Sequence, residues 1–190
     1  MNKYIFASSN KNKILELSNK LSSLNILSLQ DVGFYDEIIE SGSTLEENAS
    51  IKARTIYDKY KIPCISDDTG LEVDYLNGEP GVFSARYAGE PSNSNNNIRK
   101  VLKQMGGVKN RRAVFRTIIC FIENNKELLF EGVVEGTITN KTYGDNGFGY
   151  DPIFIPNGYD RTFAQISLET KNQISHRAKA INKLVSHFTH

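Results

Sequence analysis

This 190-residue sequence predicts a mixed α/β fold, a sheet with helices packed on it. Three observations carry that expectation. Short apolar runs alternate with amphipathic stretches through the first half of the chain. Polar turn residues separate them. Two longer β-type runs then flank Asn124-Asn125, where a hairpin is expected.

Taken in order, Tyr4 to Ala7 ("YIFA") reads as a short strand. After it, Ile14, Leu17, Leu21 and Leu24 recur at helical spacing, and Ser8, Ser9 and Asn10 are good residues to cap that helix. A second helix opens at Thr44, which forms a capping-box pair with Glu47. Its apolar stripe is Leu45, Ala49, Ala53, Ile56 and Tyr60. Ile62 to Ser66 then reads as a strand, followed by a turn and another strand from Leu71 to Tyr75. "NSNNNIRKVLKQMGG" is a helix closed by Gly106 and Gly107. The late hairpin follows. The Gly-, Asp- and Pro-rich stretch from Lys141 to Asp160 reads as largely loop. A terminal helix turns Ala178, Ile181, Leu184, Val185 and Phe188 inward.

The length suits a single domain spanning residues 1–190. A hydrophobic fraction of 39% and a charged fraction of 24% are ordinary for a soluble globular protein, so no disordered or fibrous class is expected. A formal net charge of +1 offers no general attraction to a nucleic acid polymer or an anionic membrane. Any anion must therefore be bound locally. Cys64 and Cys120 lie far apart in apolar runs, with neither disulfide nor zinc spacing. Buried thiols in a reducing compartment are expected. With no signal-peptide core and no membrane span, the expected location is the cytoplasm.

Four stretches carry candidate chemistry. "SSNKNK" runs from a strand into a helix start, where free N–H groups and the helix dipole favour an anion and Lys11 and Lys13 add charge. It lacks the spacing of a P-loop, and such a turn can simply cap its helix. Asp67 and Asp68 end an apolar run, and buried carboxylates are costly unless paired. They either close the strand in an Asx turn or point to opposite faces of a strand that continues through them. In the second case, with Glu40, they suit magnesium, a hard cation held by one or two carboxylates, waters and substrate phosphates. "NGFGYDP" places Phe148 between glycines ahead of Asp151. Such an aromatic can stack on a nucleobase or plug a core. His176 and Arg177 begin a helix, where cations oppose the dipole. They are either solvent-exposed or held to read acceptor atoms on a base.

Together these stretches resemble the inosine triphosphate pyrophosphatase family, over nearly the whole chain. "SSNKNK", "ESGSTLEENASIKA", "SDDTGLEVDYLNGEPGVFSARYAG", "GFGYDPIF" and "ISHRAKA" match its motifs in order. The resemblance implies a long, curved mixed β-sheet flanked by helices, with two lobes and an active-site cleft between them. It implies a homodimer, dependence on Mg2+, and hydrolysis of ITP, dITP and XTP to the monophosphate and pyrophosphate. Carried over residue by residue, Ser8, Ser9, Asn10, Lys11, Asn12 and Lys13 would hold the phosphates. Glu40 and Asp68 would bind the metal, with Asp68 also the proton acceptor. Lys52 and Thr69 would contact substrate. Phe148, Gly149, Tyr150, Asp151, Lys171, His176 and Arg177 would enclose and read the base. Two departures stand out: Ser8-Ser9 replaces Thr-Gly, and Thr69 replaces the Ser of many members. Two alternatives remain open. One is the related pyrophosphatase family acting on dTTP and UTP, which usually carries an Arg pair where this chain has Lys11 and Asn12. The other is a non-catalytic nucleotide sensor.

Overall fold

The structure, a computed structural model, describes residues 3–21 and 24–188. Its strands are β1 (Lys3–Phe6), β2 (Asn25–Leu27), β3 (Cys64–Val73), β4 (Arg112–Glu123), β5 (Lys126–Ile138) and β6 (Phe154–Pro156). Its α-helices are α1 (Lys11–Lys20), α2 (Leu45–Tyr60), α3 (Ser94–Gln104), α4 (Leu168–Ile174) and α5 (His176–Phe188). The strands form one sheet in the order β2-β1-β3-β4-β5-β6. β1 pairs in parallel with β2 (Tyr4 opposite Ile26) and with β3 (Ile5 opposite Cys64). β6 runs antiparallel to β5, with Ile155 opposite Thr137. The sheet is therefore mixed, as expected. The hairpin between β4 and β5 turns on Asn124 and Asn125, both at positive φ, the conformation that Asn tolerates best after Gly.

The chain divides into two compact units. The first comprises Met1–Asp68, Thr117–Gly132 and Lys179–His190; the second comprises Thr69–Arg116 and Val133–Ala178. In the first, Tyr4, Phe6, Ile65, Ile119 and Phe121 from the strands pack with Leu17 and Leu21 and with Ala180, Ile181 and Leu184 of α5. In the second, Leu71, Val73, Phe115, Val134 and Phe154 pack with Ile98, Val101 and Met105 around α3. The boundaries fall inside β3, β4, β5 and α5.

The Thr44–Glu47 capping box and the apolar stripes form largely where the sequence places them, with five differences. α1 stops at Leu21, so Leu24 packs on the first core from beyond the helix. In α2 the buried face takes Tyr57 rather than Tyr60, because the Tyr57 hydroxyl accepts from the Asn125 amide at 3.0 Å. β3 is one ten-residue strand, not two strands about a turn. Its acids find lysines within the fold, so the backbone need not turn to bring them to water. β6 was hidden in the stretch read as loop, and a separate α4 precedes the terminal helix. Both expected cysteines are buried and unbridged.

Candidate active site

In the first unit the chemistry gathers on β3. Adjacent strand residues face opposite ways, and each of the two acids draws a lysine from a different helix. Lys13 of α1 lies 3.1 Å from Asp67 Oδ1. Lys52 of α2 lies 2.9 Å from Asp68 Oδ1 and 3.1 Å from Glu40 Oε1, donating to both. Asp67 is 2% exposed and Asp68 7%. Burial pushes the Asp68 carboxyl above its usual range, against the pull of Lys52 and Lys13; Glu40 pushes the same way as burial. Burial alone would lower the Lys52 ammonium, but Asp68, Glu40 and Asp67 together raise it, so it stays charged. Two carboxylates, one on β3 and one outside any helix or strand, thus already converge on one cation. Among the described residues no three His, Cys, Asp or Glu side chains assemble into a metal site. A two-carboxylate donor set nevertheless fits magnesium, which takes its remaining oxygens from water and phosphate.

The "SSNKNK" turn is simpler than its pattern suggests. Asn10 caps α1, its carboxamide accepting from the Asn12 and Lys13 amides at 3.0 and 3.3 Å. Ser8 Oγ accepts from the Asn10 amide. Two amides of the helix start are therefore already engaged, and the attraction for an anion falls mainly to Lys11 and Lys13. Ser9, Lys11 and Asn12 are exposed, and Ser8 and Lys13 are half-buried.

In the second unit the candidate residues gather around Phe148. Asp151 Oδ2 accepts from Lys171 Nζ at 2.6 Å and from the Phe148 amide at 2.8 Å. The Lys171 ammonium sits 4.5 Å from the Phe148 ring centroid, and the Arg177 guanidinium 5.5 Å from it. Such placements are attractive through the ring quadrupole. Arg177 also donates to Thr69 Oγ1 at 3.1 Å. His176 and Arg177 are not exposed helix-start cations: they are 4% and 3% exposed. The His176 ring stacks on Phe115, centroids 4.5 Å apart and planes 11° from parallel. Tyr150 is turned inward, its hydroxyl donating to the Ser84 carbonyl at 2.8 Å, and burial pushes its pKa up. Gly149 takes a positive φ beside it. Ser84 and Asn97, which hold this region together, escaped the sequence reading. Only a polar residue on an otherwise apolar helix face marks Asn97 out.

A profile of the Ham1 family matches residues 4–187. The chain belongs to the Ham1 family. A dITP/XTP pyrophosphatase of Flavobacterium psychrophilum is 54% identical over 185 residues, covering 97% of each chain. Among solved structures, the Ham1 protein of Staphylococcus aureus superposes with a TM-score of 0.91 at 40% identity, covering 99% of this chain and 98% of its own. A HAM1 protein from Coxiella burnetii gives 0.93 at 38% identity, covering 100% and 99%. The resemblance drawn from five ordered motifs and the α/β fold it implied are both borne out by these Ham1-family relatives. Among the described residues no helix is long and apolar enough to cross a membrane.

Proposed function

We propose that this Ham1-family protein hydrolyses dITP, ITP and XTP to the monophosphate and pyrophosphate, removing non-standard purines from the nucleotide pool. The observation that carries this reading is the convergence of Glu40 and Asp68 on Lys52, in a chain whose relatives are named for that reaction. Asp68 takes a proton from water, and the resulting hydroxide attacks the α-phosphorus. The bond from that phosphorus to the α–β bridging oxygen breaks, pyrophosphate leaves with the electron pair, and Asp68 returns its proton to solvent. A carboxyl raised by burial is a better proton acceptor than a free one, while Lys52 pulls it back toward the ionised form. Lys13 and Lys52 offset charge on the phosphates, with Ser8 to Asn12 around them. Mg2+, held by Glu40 and Asp68, would neutralise the triphosphate and polarise it for attack.

The base falls to the second unit. Phe148 stacks on it, and Lys171 and Arg177 supply donors for the O6 and N7 acceptors of hypoxanthine and xanthine, which the 6-amino group of adenine repels. Thr69 keeps Arg177 in place and contacts substrate. His176 and Asp151 act through what they hold: the stacked Phe115, and Lys171 with the Phe148 amide. Gly149 and Tyr150 complete the loop that encloses the base. We read the enzyme as a cytoplasmic homodimer. Two buried, unbridged thiols fit a reducing compartment, and Tyr75 and Phe83, each more than half exposed, offer apolar area to a second copy.

The test is a panel of nucleoside triphosphates with magnesium, with both products identified. Monophosphate plus pyrophosphate from ITP, dITP and XTP is expected. Preference for dTTP or UTP would move the chain to the pyrimidine reading, and binding without turnover would make it a sensor. Stepwise release of orthophosphate would reject the proposed bond choice.

A further inference from the structure

We propose that Asn48 is a positioning residue for Glu40, holding the segment that carries this carboxylate at the distance from Asp68 that a divalent cation requires. The inference rests on the reading above, in which Glu40 and Asp68 hold that cation. Asn48 lies in the first turns of α2 and is wholly buried, on the same face as Leu45, Ala49 and Lys52. Its Oδ1 accepts from the Gly42 amide at 2.8 Å. Its Nδ2 is buried, and among the described residues nothing accepts from it. The carboxamide cannot be turned over, because its NH2 would then face the Gly42 N–H. The Gly42 contact is therefore what this side chain provides, at the expense of a stranded donor.

Gly42 stands two residues after Glu40. The next two amides, Ser43 and Thr44, donate to Glu47 Oε2 at 2.6 and 3.2 Å. Three consecutive amides are thus taken by two neighbouring side chains at the start of α2. Only glycine allows the approach: a Cβ at residue 42 would lie 2.6 Å from Asn48 Oδ1 and 2.6 Å from Glu47 Cβ. Glu40 itself lies outside any helix or strand, and its carboxylate is held by Lys52, one helical turn beyond Asn48 on the same face of α2. One helix face therefore supplies both the clamp on the segment and the ammonium on the carboxylate. A ligand carboxylate on a loop depends on such a clamp to stay in register with one on a strand. Groups that orient metal ligands are commonly worth ~10–100-fold in metal affinity.

The test is direct binding of Mn2+ by the full chain, followed by electron paramagnetic resonance, in the unchanged protein and in Asn48→Ala, Gly42→Ala, Asn48→Asp and Glu40→Gln. Circular dichroism and thermal melting report folding. The expected result is that Asn48→Ala and Gly42→Ala each weaken Mn2+ binding ~10-fold or more. They break the same contact from opposite sides. Asn48→Asp retains an acceptor for the Gly42 amide and should keep the original affinity. The inference is overturned if folded Asn48→Ala or Gly42→Ala binds Mn2+ as tightly as the unchanged chain while Glu40→Gln does not, or if Asn48→Asp is as weak as Asn48→Ala. If the unchanged chain fails to bind Mn2+, or Glu40→Gln binds it normally, the cation site itself is rejected and the clamp loses its purpose.

Discussion

The two clusters are built on opposite plans. In the first unit the charged groups sit on regular elements: Asp67 and Asp68 on a strand, Lys13 and Lys52 on helices, with Glu40 alone outside them. In the second, one ion pair, Asp151 with Lys171, holds a glycine-flanked aromatic in a loop. A strand sets the position of its side chains to a fraction of an ångström, which suits proton transfer and charge neutralisation. A loop follows whatever pins it, which suits recognition of a flat base. Loss of a charge in the first unit should therefore act on turnover, and loss of a pin in the second on affinity.

The largest expected effect tests the first half of that contrast. Asp68→Asn preserves shape and a partner for Lys52 but removes the base. Loss of a general base typically costs ~10²–10⁴-fold, so kcat should fall by that order with the melting temperature little changed. Near-normal turnover at saturating magnesium would hand the role to Asp67 or Glu40 and dissolve the distinction between the units.

The second half is tested by Gly147→Ala. Gly147 has φ +76°, and a Cβ there would lie 2.1 Å from Asp151 Oδ2. The substitution strains the turn and pushes Asp151 off Lys171 and the Phe148 amide. KM for ITP should rise ~10-fold or more, with kcat changed much less, because misplacement of a binding group acts on substrate docking. Steady-state kinetics with ITP and dITP decide it. A fall in kcat with KM unchanged would mean that the loop serves chemistry rather than recognition.

The smallest effect sharpens the comparison inside the second unit. Tyr150→Phe removes the hydrogen bond to the Ser84 carbonyl, which still accepts from Asn97 Nδ2 at 3.3 Å. With the acceptor still engaged, about 0.5–1.5 kcal/mol of stability should be lost. That corresponds to a drop of roughly 1–6 °C in Tm for a chain of this size. ITP kinetics should stay close to those of the unchanged protein. A large rise in KM would instead make the Tyr150 hydroxyl part of base recognition.

The sequence by itself determined the alternation of strands and helices, the Thr44–Glu47 capping box, the hairpin at Asn124-Asn125 and the five motifs in their order. These are properties of periodicity, turn chemistry and local spacing, and they act over a few residues. Tertiary structure decided what those signals leave open. Asp67 and Asp68 looked like the end of a strand because nothing near them in sequence neutralises two adjacent carboxylates; their lysines come from α1 and α2. Phe154 to Pro156 looked like loop because a three-residue strand has too few positions to show alternation, and only its pairing with β5 makes it one. His176 and Arg177 could lie exposed or be held inside, because a helix start disfavours cations and nothing near them in sequence decides between the two; Phe115 and Thr69 hold them within the second unit. Asn48 stands in the "ESGSTLEENASIKA" motif, but a motif does not name its hydrogen-bond partner, and its contact with Gly42 spans a loop. Each of these outcomes is a pairing of charge, ring or amide across a separation in sequence, and such pairings exist only once the chain has folded.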